Sequence, residues 1–141
     1  MKYIFSIIFL LVLTTNIVGQ KIDDNKILVT ISDTFKLYER TRQAIVNSNF
    51  IIREDSKRDT LVTVSEKIWN TTIFVVAKII IKGNVVEISG AYGLGYVDFW
   101  GFPIWPKGYT RVTYYKESEA WHLIRQIGLK LDGKLSYYKE K

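Results

Sequence analysis

The chain has 141 residues, no cysteine, one histidine and a formal net charge of +6 at pH 7. Cysteine nucleophiles and disulfides are therefore excluded, and a structural zinc site lacks its usual ligands. The basic residues are scattered and interrupted by acids, whereas nucleic-acid sites concentrate them in a stripe. We expect no metal and no nucleic-acid partner.

Residues 1–19 have the pattern of a secretory signal peptide. Lys2 precedes the apolar run IFSIIFLLVL, and polar residues and the small Gly19 follow it. This run is shorter than the roughly 20 apolar residues that a membrane anchor usually needs. We predict cleavage after Gly19 and a secreted or periplasmic protein. An exported domain without cysteine favours a bacterial origin.

The remaining chain is predicted to form a flexible leader and one domain. The leader, residues 20–26, is polar and has little apolar surface with which to order itself. Residues 27–141 fit a single domain of ordinary size. It begins with a β-branched strand at 27–31, followed by an amphipathic helix at 34–49. We expect Ser32 or Asp33 to cap the start of this helix and the segment Asn47-Ser48-Asn49 to end it.

The centre of the chain predicts an antiparallel meander, with strands at 50–54, 60–68, 72–81, 85–97 and 109–115. Gly83-Asn84 suits a tight hairpin turn, and Gly90, Gly93 and Gly95 suggest bulges or close backbone approach. Pro103 and Pro106 indicate that residues 98–108 are a long hairpin tip. A second helix is predicted at 117–131, and the tail after it either adds a short strand or lies loose. The order β-α-β-β-β-β-β-α predicts an α+β fold in which two amphipathic helices pack on one face of the sheet.

One stretch of the domain resembles a known group. A helix with Leu37-Tyr38 is followed by a strand and by a charged turn that contains Asp55 and Asp59. This pattern is similar to small exported bacterial domains of unknown function that have a TATA-binding-protein-like fold. The resemblance implies an architecture and an envelope location, and it implies no activity.

The sequence offers little material for catalysis. No serine lies in a Gly-x-Ser-x-Gly turn, and His122 is expected on the outer surface of the second helix. Gly90-x-x-Gly93-x-Gly95 continues into more strand, whereas a nucleotide fingerprint must open a helix. The acids closest to the aromatic segment are Glu87 and Asp98, eleven positions apart by their numbers. We therefore expect a protein that is not an enzyme, with no catalytic residue and no cofactor.

The segment GAYGLGYVDFWGFPIWPKGY, residues 90–109, is the candidate binding region. Its rings either form an exposed binding surface or fold back over a small core. Trp100 and Trp105 flank Pro103 and are the rings most suited to exposure. The candidate binding residues are Tyr96, Asp98, Phe99, Trp100, Phe102 and Trp105.

The hypothesis from the sequence is non-catalytic binding of another protein in the cell envelope. Two alternatives stay open. In one, Trp100 and Trp105 stack on a glycan, with Asp98 as hydrogen-bond acceptor or acid. In the other, which is less favoured, the aromatic tip dips into a bilayer and the protein has a structural role at the membrane surface.

Overall fold

The computed structural model describes residues 19–53, 57, 59–65, 73–94, 96–97, 103–104, 110–115 and 118–141. The fold is α+β, as the sequence predicts, with nine strands and two helices in this part of the chain. In chain order the elements are β1 (Lys26–Ile31), α1 (Leu37–Val46), β2 (Phe50–Ile52), β3 (Thr60–Ser65), β4 (Ile73–Lys82), β5 (Val85–Leu94), β6 (Tyr96–Val97), β7 (Pro103–Ile104), β8 (Thr110–Arg111), α2 (Glu119–Leu129) and β9 (Gly133–Tyr138).

The main sheet has seven strands in the order β2-β3-β4-β5-β1-β9, and β8 also pairs with β5. All of its ladders are antiparallel. The predicted meander from β2 to β5 is confirmed, and the tail forms a strand. The first strand lies between β5 and β9, so Val29 is level with Val86 on one side and with Leu135 on the other. The amino-terminal strand therefore lies inside the sheet.

Both helices lie on the same face of the sheet, here called the helix face. Ile27, Val29 and Ile31 alternate toward it and are buried in one cluster with residues of α1 and α2. Two glycines permit close packing of α2. A Cβ at Gly90 would lie 3.1 Å from Ile124 Cγ2, and one at Gly128 would lie 3.3 Å from Val29 Cγ2. The predicted close approach at Gly90 is thus explained by the helix above it.

The opposite face, here called the open face, carries the alternate side chains of the same strands. Neither helix lies on it. Val64, Phe74 and Val76 form a second, smaller buried cluster on this face, because Val64 is level with Val76 in the β3–β4 ladder. The sheet therefore has one apolar face under the helices and a second face of mixed character.

The helix boundaries agree with the predicted segments within a few residues, but the start of α1 differs. Its N-cap is Lys36, in the left-handed conformation with φ 49°, and no side chain caps the helix. Asp33 instead accepts a hydrogen bond from the Phe35 backbone, 2.9 Å away, which closes a local turn before the helix. At the other end Asn49 has φ 62°, as expected of an asparagine that follows a helix.

The start of α2 has a side-chain cap, because Ser118 is the N-cap and its hydroxyl accepts from the Trp121 backbone N–H at 3.2 Å. The β4–β5 hairpin turns at Gly83-Asn84 as expected. Gly83 has φ 59°, and a positive φ at the first central residue is what the tight turns of β-hairpins require.

The segment predicted as a leader contacts the domain. The Asp23 N–H donates to the Tyr114 carbonyl at 3.2 Å, and the Tyr114 N–H donates to the Asp24 carbonyl at 2.7 Å. The Asn25 side-chain NH2 group donates a hydrogen bond to the Glu140 carbonyl, and its side-chain oxygen accepts one from the Glu140 backbone N–H, each at 2.9 Å. Residues ahead of β1 are therefore tied to the segment that follows β8 and to the carboxyl-terminal tail.

Candidate functional site

Most of the predicted binding residues lie outside the part of the chain that the structure describes. These are Asp98, Phe99, Trp100, Phe102 and Trp105. Tyr96 lies in β6 and pairs with Ile104 of β7. The exposure of Trp100 and Trp105 therefore stays a prediction.

The described strands locate the base of the aromatic segment. β5 and β8 pair through Ala91 with Arg111 and Tyr92 with Thr110. β6 and β7 form a separate ladder, in which Val97 is level with Pro103. Proline is tolerated there because a strand of a two-stranded sheet has one free edge. The chain thus leaves the main sheet at the end of β5 and returns to it at β8, which are the arms of the predicted long hairpin.

A cluster of charged side chains lies on the open face beside this base. Lys26 Nζ lies 2.5 Å from Glu87 Oε1 and 2.6 Å from Glu140 Oε1. Lys82 Nζ lies 3.1 Å from Glu87 Oε2, and Arg111 lies 3.9 Å from Glu140 Oε2. These residues, here called the charge cluster, connect β1, β4, β5, β8 and the carboxyl-terminal tail.

The two enclosed members of this cluster, Lys26 and Glu87, favour their charged forms. Burial opposes the charging of Lys26, but hydrogen bonds from its ammonium group to Glu140 and Glu87 outweigh this effect and raise its pKa. Burial likewise opposes ionisation of Glu87, yet the hydrogen bonds from Lys26 and Lys82 prevail and lower its pKa. Both groups are therefore charged near neutral pH, which suits a structural ion pair better than a proton-transfer pair.

The acids of the cluster are more enclosed than the outer cations. The Glu87 side chain is 9 % exposed, whereas Lys82 is 64 % exposed and Arg111 is 53 % exposed. The most exposed side chains of the cluster are therefore the cations Lys82 and Arg111, followed by Glu140 at 43 %. Lys26 contacts Glu87, which is 61 positions away in the sequence, and Glu140, which is 114 positions away. Sequence reasoning missed the cluster because only the strand register brings them together.

Two further lysines lie on the same face. Lys78 is level with Ser89, which is level with Lys26, and Lys134 is level with Thr30. Both lysines are exposed. Among the ion pairs of the described residues, neither lysine has an acidic partner. Leu28, Ile80 and Val85 lie half-buried between these positions.

The other residues considered from the sequence have ordinary surroundings. His122 is exposed on α2. Both carboxylate oxygens of Glu87 accept hydrogen bonds from lysines, Oε1 from Lys26 and Oε2 from Lys82. Trp121 of α2 is fully buried. In the described ranges, no three histidine, aspartate or glutamate side chains converge as metal ligands. No helix among the described residues has both the length and the apolar character to cross a membrane.

No protein-family model matches the chain, and no curated protein is similar to it at a significant level.

Proposed function

We propose that this protein is an exported, non-catalytic binding domain of the bacterial cell envelope, and that its partner is another protein. The observation that carries the proposal is the placement of both helices on one face of the sheet. The open face is left with exposed cations beside half-buried apolar side chains. Protein interfaces combine such groups, with an apolar centre and a polar rim.

The described strands that flank the aromatic segment meet at the edge of the same surface. Ala91 and Arg111, at the base of the segment, are level with each other on the open face. A partner that contacts this base can therefore also reach the charge cluster. Tryptophan rings contribute large contact area for little loss of conformational entropy.

Export is the second part of the proposal. Its support is the short positive start, the apolar run and Gly19, which together have the layout of a signal peptide. Mass spectrometry of the natural protein from the envelope fraction should find an amino terminus at Gln20. Material that retains residues 1–19, or that is found only inside the cell, would contradict export.

The binding role is tested by replacing Trp100 and Trp105 together with alanine. The variant should lose partner capture from an envelope extract, while its circular dichroism and melting temperature stay unchanged. Tyr115→Ala is the matched control, because Tyr115 is 62 % exposed near the chain's return to the sheet. We expect it to retain capture.

Two outcomes oppose this proposal. Unfolding of the double tryptophan variant would show that the rings belong to the core. Measurable turnover of a glycan, or salt-resistant flotation with vesicles, would favour the alternatives in which the same rings contact sugar or lipid.

A further inference from the structure

We propose that the open face binds an acidic segment of the partner protein, and that Lys78 and Lys134 are the principal contact residues. This inference rests on the proposed binding function and names the chemistry of the partner. It does not depend on the aromatic segment.

The cations of the open face are spread over four strands. The basic side chains of this face come from β4, β1, β8 and β9, and they are Lys26, Lys78, Lys82, Arg111 and Lys134. Three strand spacings separate β4 from β9, which is about 14 Å. Lys78 and Lys82, four residues apart on one strand, are separated by a similar distance of about 13 Å. The cations thus frame a patch wide enough for an extended chain of several residues.

Cations outnumber acids among the described residues of the open face. Within the described part of this face, the acids Glu87 and Glu140 both face the cluster and are paired there. Lys78 and Lys134 take no part in those pairs and are exposed. Their charge is therefore free to attract carboxylates from a partner, and complementary charge both speeds encounter and selects among partners.

Apolar side chains on the open face favour a protein partner over other polyanions. Leu28, Ile80 and Val85 lie between the cations and are half-buried. An acidic peptide with apolar residues can cover such positions, whereas a phosphate backbone gains nothing from them. Nucleic acid and anionic lipid are accordingly alternatives that the experiment must separate.

The experiment compares two variants with the same net charge. Lys78→Glu/Lys134→Glu reverses two charges of the open face. Lys36→Glu/Arg42→Glu reverses two exposed charges on the side of α1. Fluorescent poly-L-glutamate is the probe, measured by anisotropy at several salt concentrations, and melting curves verify that both variants fold.

We expect the open-face variant to bind poly-L-glutamate roughly tenfold or more weakly than the natural protein, with a smaller salt dependence. The α1 variant should stay within about threefold. Equal losses in both variants would show that only net charge matters and would overturn the inference. Binding to phosphatidylglycerol vesicles or to a DNA duplex, but not to poly-L-glutamate, would overturn it in favour of lipid or nucleic acid.

The same variants separate this inference from the proposed function. If the natural protein captures a partner from the envelope extract and the open-face variant captures it equally well, the binding function stands and the acidic contact fails. If the natural protein captures none, the binding function fails regardless of the poly-L-glutamate result.

Discussion

Lys26 and Glu87 are 61 positions apart in sequence, and their side chains lie 2.5 Å apart on the face of the sheet that the helices do not cover. The contact depends on the pairing of β1 with β5, which places Leu28 level with Glu87 and Lys26 level with Ser89. Lys82 approaches the second oxygen of the same carboxylate at 3.1 Å. One glutamate therefore binds β5 to the strands on either side of it.

Replacement of Glu87 by glutamine should destabilise the fold. The change leaves the Lys26 side chain, only 13 % exposed, with Glu140 as its remaining acidic partner in the cluster. We expect a loss of about 1–3 kcal/mol in the free energy of unfolding, because an ionised group then stays enclosed with fewer partners. In melting curves, the melting temperature should decrease by roughly 3–10 °C.

Glu140→Gln is the matched control for that change. Its side chain is 43 % exposed, so water can replace the lost carboxylate, and we expect a loss below about 1 kcal/mol. Equal destabilisation by the two glutamines would contradict the view that Glu87 is the centre of the charge cluster.

The cluster should also give the stability a characteristic pH dependence. The pKa of Glu87 is lower in the folded state than its ordinary value of 4.5, so its contribution is present above about pH 4.5 and is lost as the pH falls below it. The pKa of Lys26 is raised above its ordinary value of 10.5. Its contribution is therefore complete below that pH and declines as the pH rises further.

Melting curves of the natural protein and of Glu87→Gln, recorded from pH 3 to pH 8, test the acidic half of this expectation. The difference in stability should be largest near neutral pH and should shrink below about pH 4.5, since glutamine does not titrate. A difference that is constant over the whole range would mean that the glutamine acts through packing and not through charge.

Gly133→Ala should loosen the last strand. A Cβ at this position would lie 2.6 Å from both Ile31 Cδ1 and Val29 Cγ1 and 2.7 Å from the Thr30 carbonyl. The backbone oxygen cannot rotate away as a side chain can, so we expect a cost of about 2–3 kcal/mol. Hydrogen exchange should accelerate for the amides of β9 before those of β4.

Gly83→Asn provides the comparison for that variant. Gly83 has φ 59° and no atom within 4 Å of its Cβ position, so this variant carries backbone strain but no clash. Asparagine is among the residues that best accept a positive φ, and the cost should be about 1 kcal/mol, below that of Gly133→Ala. If the two variants were equally stable, β9 would have to move away from the added methyl group at no cost in the free energy of unfolding.

Much of the local structure follows from the sequence. The 3.6-residue pattern predicts α1, and alternating β-branched residues with a Gly-Asn turn predict the β4–β5 hairpin, because both signals act between near neighbours. Ser118 is identifiable as a cap for the same reason. Trp121 is harder to place, since a helical pattern gives the direction of a side chain but not how far the neighbouring elements enclose it.

The long-range relationships could not be read from the sequence. The insertion of β1 between β5 and β9 joins segments from the two ends of the domain, and strand periodicity specifies a face but no partner. The charge cluster depends on that insertion, so Lys26, Glu87 and Glu140 give no common signal in the sequence. The aromatic segment is the opposite case. Its composition is conspicuous in the sequence, while most of its side chains lie outside the described residues.

Gln20 provides the last test, because it is the first residue of the mature chain that we propose. Its side-chain oxygen accepts a hydrogen bond from the Trp121 indole N–H at 2.8 Å, and Trp121 is fully buried. Gln20→Ala removes the acceptor and should cost about 1–2 kcal/mol in stability. Lys21→Ala, which changes only an exposed side chain, should cost almost nothing.

A double-mutant cycle separates this hydrogen bond from general effects of the amino terminus. Trp121→Phe removes the N–H donor, so Gln20→Ala should cost less in that background than in the natural protein, with a coupling of about 0.5–1 kcal/mol. Strictly additive losses would mean that Gln20 acts by some route other than the indole. Because the acceptor lies at residue 20, a protein shortened by even one residue beyond the proposed cleavage point should show the same loss as Gln20→Ala.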